Sequence, residues 1–204
     1  MTRLSAFRFW SLLAGLVGLF AAMLVLGGPS AHADRAILIA TQVDALVNPA
    51  RLVTRGGDWW FVLVVGAIGA AWLLLKRLWR RAALLALLLL TERTIVEFLK
   101  LVFDRARPDP AGHKVAVHSL AFPSGHSANA MVLGLALALL LPMSPRARTA
   151  ALAAAFLYAF GIGATRLVLG AHWPSDVVGG WALGALWTLL VVRLAAGTDE
   201  AQPH

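Results

Sequence analysis

The sequence predicts an all-α, polytopic membrane protein: a six-transmembrane-helix bundle with its active groups gathered at the extracytoplasmic face. Three observations carry that expectation. Of the 204 residues, 60% are hydrophobic and only 14% charged, with a mean hydropathy of +0.77, too apolar for a soluble domain. Several apolar runs approach the roughly 20 residues needed to cross a bilayer. The remaining polar residues collect in three short islands at the ends of those runs: residues 100–108 (KLVFDRARP), 123–126 (PSGH) and 165–176 (TRLVLGAHWPSD).

The elements follow in order. A first span covers residues 9–28, preceded by Arg3 and Arg8. Its basic start and the following Ser30-Ala31-His32-Ala33 also fit the less favoured reading of residues 1–33 as a cleaved signal peptide. Either way the next segment starts outside the cytoplasm. Residues 36–50 place Ile39, Val43, Leu46 and Val47 at helical spacing, which predicts a short amphipathic segment on the outer membrane surface, with an ordered loop as the alternative. The second span, residues 59–75, ends in Lys76, Arg77, Arg80 and Arg81, a basic cluster that places this loop in the cytoplasm. The third, residues 82–103, carries Glu92, Arg93 and Glu97. The last two are four apart and are expected to pair on one helix face. The fourth span is predicted over residues 126–141, closed by Pro142 and Pro145, with Arg146 and Arg148 marking a second cytoplasmic loop. The fifth and sixth cover residues 149–169 and 174–192, and the tail 193–204 is expected to fray. Trp10, Trp59, Trp60, Trp79 and Trp173 fall near span ends, as an interfacial belt requires. The whole chain, 1–204, reads as a single membrane-embedded domain.

Charge and composition narrow the partners. The net charge is +8 and the pI about 11.4, but the basic residues are scattered along span flanks, which suits anionic lipid headgroups and argues against nucleic acid. The absence of cysteine excludes disulfides, thiolate metal sites and cysteine nucleophiles. Parity then orders the islands. With the amino terminus inside, the first, third and fifth spans all emerge on the outer face, so the three islands share the extracytoplasmic side.

The islands hold the residue types needed to grip and attack a phosphate. His172 and Asp176 are four apart with Pro174 suited to a first helical turn. The carboxylate can accept a hydrogen bond from one imidazole nitrogen and leave the other free to attack. Arg166 offers a planar fork to phosphate oxygens. Ser124, Gly125 and His126 stand where a helix begins, a natural anion site, with His126 placed to protonate a departing oxygen. Lys100 and Arg107 add positive charge for the equatorial oxygens of a transferring phosphoryl group. No carboxylate cluster suited to magnesium accompanies them, so no metal or cofactor is expected. His32, His113, His118 and His204 read as surface or loop residues, and Asp104, Arg105 and Asp109 as local loop partners.

These motifs resemble the type 2 phosphatidic acid phosphatase superfamily, which also includes the vanadium haloperoxidases. The family signature K-x6-R-P, P-S-G-H and S-R-x5-H-x3-D is matched by Lys100 to Arg107-Pro108, by Pro123 to His126, and by Thr165-Arg166 to His172 to Asp176. Thr165 replaces the usual serine and keeps its hydroxyl. The match covers roughly the carboxy-terminal half. The resemblance implies a six-span bundle that acts on lipid phosphates without a metal. It makes His172 a transiently phosphorylated nucleophile, Asp176 its orienting partner and His126 the general acid. Lys100, Arg107, Ser124, Gly125 and Arg166 would hold the phosphoryl group. The expected substrate is a lipid phosphate or diphosphate, first a polyprenyl diphosphate such as undecaprenyl diphosphate, then phosphatidylglycerol phosphate or phosphatidic acid. A lipid phosphotransferase using the same site is the nearest alternative and a transporter a more distant one. The expected place is a bacterial inner membrane. Oligomeric state is open.

Overall fold

The computed structural model describes residues 5–109, 113–117 and 119–200, and these are helical throughout, with no strand among them. The helices are α1 Ala6–Leu26, α2 His32–Thr41, α3 Val47–Val53, α4 Trp59–Leu75, α5 Trp79–Phe103, α6 Gly125–Leu140, α7 Pro145–Val168 and α8 Pro174–Glu200, with 3₁₀ turns at Asp44–Leu46 and Thr54–Gly57. Among the described residues, α1, α7 and α8 are long and apolar enough to cross a membrane, and the α2–α3 pair, bent by 72°, would make a fourth span. Helices α4 and α6 are apolar but have 17 and 16 residues, at or just below the lower end of a spanning length. Helix α5 has 25 residues and carries Glu92, Arg93 and Glu97.

Helix α6 is the core of the bundle. Ala128, Ala130, Val132 and Ala136 on it are fully buried, against α5, α7 and α8. Small residues make this approach possible, as in membrane bundles generally. A Cβ at Gly134 would lie 2.8 Å from Ala155 of α7, and one at Gly180 of α8 would lie 2.5 Å from the Ser124 carbonyl. Helix α1 packs along α8, and its Phe20 ring meets Phe103 and Phe122 beneath the first two polar islands. The outward faces carry large apolar side chains, among them Phe7, Trp60, Leu75, Leu101 and Leu157, each at least 73% exposed, as a lipid-facing surface requires.

Several boundaries differ from the sequence expectation. Helix α5 begins at Trp79 and α7 at Pro145, so Arg80, Arg81, Arg146 and Arg148 lie in first turns and not in loops. For α7 the cause is local: Ser144 caps the Ala147 N–H at 3.3 Å and Pro145 takes the first helical position. Helix α8 runs on to Glu200 where a frayed tail is expected from 193; residues 201–204, including His204, lie outside the described residues, as do Arg3 and His118. The predicted amphipathic segment 36–50 is not one helix. It breaks after Thr41, whose hydroxyl and following backbone N–H groups turn back on Leu38, Ile39 and Thr41 carbonyls. Trp173 and Trp59, expected near span ends, also make contacts within the bundle. Trp173 is buried and donates to the Ala106 carbonyl at 2.9 Å, and Trp59 is half-buried beside Arg93. The Arg93–Glu97 pair forms as expected at 3.0 Å, whereas Glu92 is buried with neither carboxyl oxygen bonded.

The contact at Gly180 has a measurable consequence. Gly180→Val is expected to push α8 from the Ser124 carbonyl and lower stability by about 1–3 kcal/mol, the usual cost of overpacking. Thermal unfolding in detergent checks this, and an unchanged midpoint would mean that α6 and α8 are looser than their geometry here.

Candidate active site

The amino-terminal end of α6 meets the carboxy-terminal ends of α5 and α7 and the start of α8, and a cavity of about 310 Å³ opens there. Six of the eight residues singled out from sequence line it: Lys100, Arg107, Gly125, His126, Arg166 and His172. Ser124 and Asp176 are fully buried behind this wall. Four cationic side chains (Arg93, Lys100, Arg107 and Arg166) and one carboxylate, Glu97, border the space, so it is strongly electropositive.

His172 sits on the short connection from α7 to α8, oriented from both sides. Its Nδ1 lies 3.3 Å from Asp176 Oδ2, and Arg107 Nη1 lies 3.0 Å from its Nε2. A guanidinium only donates, so Nε2 must offer a lone pair and the ring proton belongs on Nδ1, facing the carboxylate. Burial, reinforced by Arg107, Arg166 and Lys100, holds the His172 pKa well below the usual imidazole range and keeps the ring neutral. Asp176 Oδ2 also accepts from the Trp173 N–H at 2.9 Å, and its Oδ1 accepts from Arg105 at 2.9 Å.

Arg105 is therefore not a local loop partner. It is buried, stacks over Phe122 with 4.2 Å to the ring centroid, and donates to Ser175 Oγ and to the Met23 and Leu24 carbonyls at the end of α1. Asp34 of α2 completes the assembly by accepting from the backbone N–H groups of Gly28 and Ser175. Sequence reading misses Asp34 altogether, because the partner that ties it to the site, Ser175, lies 141 residues away.

The other side of the cavity is built from the turn before α4. His126 Nε2 lies 3.0 Å from Asp58 Oδ1, and Arg166 donates to Thr54 Oγ1 at 2.9 Å while its Nε stays buried without a protein acceptor. The hydrogen bond from His126 holds the Asp58 carboxyl below the usual carboxylate range. Lys100 Nζ reaches Glu97 and Ser119 Oγ, each at 3.1 Å, and Arg107 grips the carbonyls of Ser119, Leu120 and Ala171. Ser124 does not present its hydroxyl to the cavity as expected. Ser127 donates to it at 3.0 Å, and the Ser124 N–H is taken by the Asp176 carbonyl. That leaves the first turn of α6, opened by Gly125, to supply backbone donors. A Cβ on Gly125 would stand 3.6 Å from Lys100 Nζ.

Residues 81–198 match the family model of the PAP2 superfamily. The chain belongs to the PAP2 superfamily. Phosphatidylglycerophosphatase B of Bacillus subtilis is 34% identical to it over 155 residues, 72% of each chain. Decaprenylphosphoryl-5-phosphoribose phosphatase of Mycobacterium tuberculosis is 28% identical over 183 residues, 82% of this chain and 93% of that one. The crystal structure of a transmembrane PAP2-type phosphatidylglycerolphosphate phosphatase from Bacillus subtilis superposes with a TM-score of 0.79 at 29% identity, covering 97% of this chain and 98% of that one. The sequence signature thus identifies the superfamily correctly, and in this PAP2 chain the signature residues surround one cavity or stand directly behind it.

Two outcomes are expected. Arg105→Met leaves the Asp176 Oδ1 unpaired in a buried site, and breaking a buried pair costs about 3–5 kcal/mol. Unfolding in detergent should register that loss, and an unaltered midpoint would leave Arg105 no supporting role. For His172 the folded-state pKa lies below the unfolded value, about 6.5 for an imidazole. Its stability contribution is then full above that pH and is lost as pH falls towards the folded value. Midpoints measured from pH 7.5 to 5 should decline, and His172→Asn should flatten the decline.

Proposed function

We propose that this chain is an integral membrane lipid phosphatase that hydrolyses a phosphate ester through a phosphohistidine intermediate. The observation that carries the reading is the tautomer of His172: Nδ1–H towards buried Asp176, and a lone pair on Nε2 in a cavity edged by Lys100, Arg107 and Arg166. In the first step Nε2 attacks phosphorus, the bond from phosphorus to the lipid oxygen breaks, and His126 gives that oxygen a proton. With Nε2–H of His126 held by Asp58, the ring enters this step as an imidazolium, gives up its Nδ1 proton and is left neutral. In the second step water attacks phosphorus, its proton passes to His126, and the P–N electron pair returns to His172 as phosphate leaves. The three cations and the first turn of α6 neutralise the charge on the phosphoryl oxygens, so no metal is required.

Among the expected lipids, the likeness to phosphatidylglycerophosphatases favours phosphatidylglycerol phosphate. The mycobacterial relative keeps a polyprenyl phosphate or diphosphate next, followed by phosphatidic acid. Helices α1, α4, α5, α6, α7 and α8 would supply six crossings of a bacterial cell membrane, with the cavity at the extracytoplasmic end. The basic loop at Lys76 and Arg77 and the start of α7 at Arg146 and Arg148 support that orientation. The reading treats residues 1–204 as one domain with α1 retained, since Arg105 takes two of its acceptors from α1.

The test is phosphate release by purified protein in detergent with EDTA, using phosphatidylglycerol phosphate, undecaprenyl diphosphate, phosphatidic acid and a short soluble phosphate ester. Release is expected to continue in EDTA and to fall by at least about 10³-fold in His172→Ala, the scale seen when a nucleophile is lost. Turnover by His172→Ala at the wild-type rate would remove His172 as nucleophile. No release from any substrate would favour a lipid acceptor in place of water.

A further inference from the structure

A second cavity lies at the other end of the bundle. Its volume is about 510 Å³, and Arg77, Arg80, Arg81 and Arg148 line it, with no carboxylate among the described lining residues. Leu84, Leu139, Leu140, Val192 and Ala196 form the apolar part, between the start of α5, the end of α6 and the end of α8. From Arg81 to Lys100 along α5 is about 30 Å at 1.5 Å per residue, one hydrocarbon thickness of a bilayer. The arginines thus lie at headgroup level in the leaflet opposite the candidate active site.

Arg81 and Arg148 are held in place by the end of α6. Arg81 Nη1 reaches the Leu140 carbonyl at 3.3 Å and Arg148 Nη2 the Leu141 carbonyl at 3.4 Å, the last acceptors of α6. The Arg148 Nε is buried with no protein partner. Arg77 sits at φ 58, a left-handed position that favours glycine. Four guanidiniums above an apolar cleft match one ligand chemistry: an acidic headgroup with acyl chains below it.

We propose that this cleft is a binding site, separate from the candidate active site, for an anionic phospholipid of the opposite leaflet. The arginines take the phosphodiester, and the acyl chains lie against Leu84, Leu139 and Val192. This site does not depend on the phosphatase reading, because it shares no residue with the other cavity.

The experiment measures binding of phosphatidylglycerol and of phosphatidylcholine with identical chains to full-length protein in detergent, by native mass spectrometry and by the lipid-induced shift of the unfolding midpoint. Inorganic phosphate serves as a competitor. Wild type should prefer phosphatidylglycerol, and millimolar phosphate should not displace it. Arg81→Gln/Arg148→Gln should weaken binding by on the order of tenfold, since each interfacial cation contributes about a factor of five. Ala196→Trp, which fills the apolar wall without altering charge, should weaken it as well. Arg166→Gln, in the other cavity, should leave it intact. Lipid-free midpoints report whether each variant is folded. Equal affinity for the two lipids, displacement by phosphate, or undiminished phosphatidylglycerol binding in folded Ala196→Trp and in the arginine pair would overturn the proposal.

Discussion

The site depends on a carboxylate buried where water cannot reach it. Asp176 is fully enclosed, and a bare charge there would cost several kcal/mol. Three contacts offset that cost, His172 and the Trp173 N–H on one oxygen and Arg105 on the other, while the Ser124 N–H fastens its backbone carbonyl. The same contacts tie the second island to the third and both to the end of α1. Holding the charge and holding the geometry are one arrangement. Arg105 matters because it meets Asp176 from behind, leaving the Nε2 side of His172 to face the cavity, where Arg107 meets it.

The two histidines sit in matched but opposite settings. His172 turns Nδ1 to a buried aspartate and presents Nε2 to the cavity, while His126 turns Nε2 to Asp58, which is half exposed. A ring kept neutral suits attack on phosphorus, and a ring beside a partly solvated carboxylate suits proton exchange with a leaving group and then with water. The short bent region from α2 to the Thr54–Gly57 turn supplies this second side. It delivers Thr54 to Arg166 and Asp58 to His126, and Asn129 of α6 fastens it through the Gly57 carbonyl at 2.9 Å.

The bundle is also polar along its axis. Cations at one end surround a cavity backed by buried carboxylates, and cations at the other line a cleft with none among the described residues. Between them the core is largely aliphatic, with buried Thr188 bonded to the Gly184 carbonyl and Glu92 buried with neither carboxyl oxygen bonded. Charge at either end is tolerated because headgroups and water lie within reach of long side chains, whereas the middle offers no such solvent.

Composition and motif spacing by themselves determined the helical class, the rough position of every long helix and the superfamily, and six of the eight residues singled out from sequence line one cavity. These are local properties: apolar runs declare helices in lipid, and signature residues keep short spacings because each island sits at a helix end or the connection beside it. Helix ends were less legible at Trp79, Pro145 and Glu200, because arginines that read as loop also fit a first turn and polar residues can prolong a helix beyond the apolar zone. Tertiary structure alone decided which of the neutral-looking polar residues belong to the site. Arg105, Asp34, Asp58 and Thr54 meet their partners across 71, 141, 68 and 112 residues, and no pattern in the chain records those distances. It also decided that Ser124 turns inward and that Trp173 is buried against the Ala106 carbonyl, since packing against a buried neighbour depends on how helices cross and not on the order of residues within them.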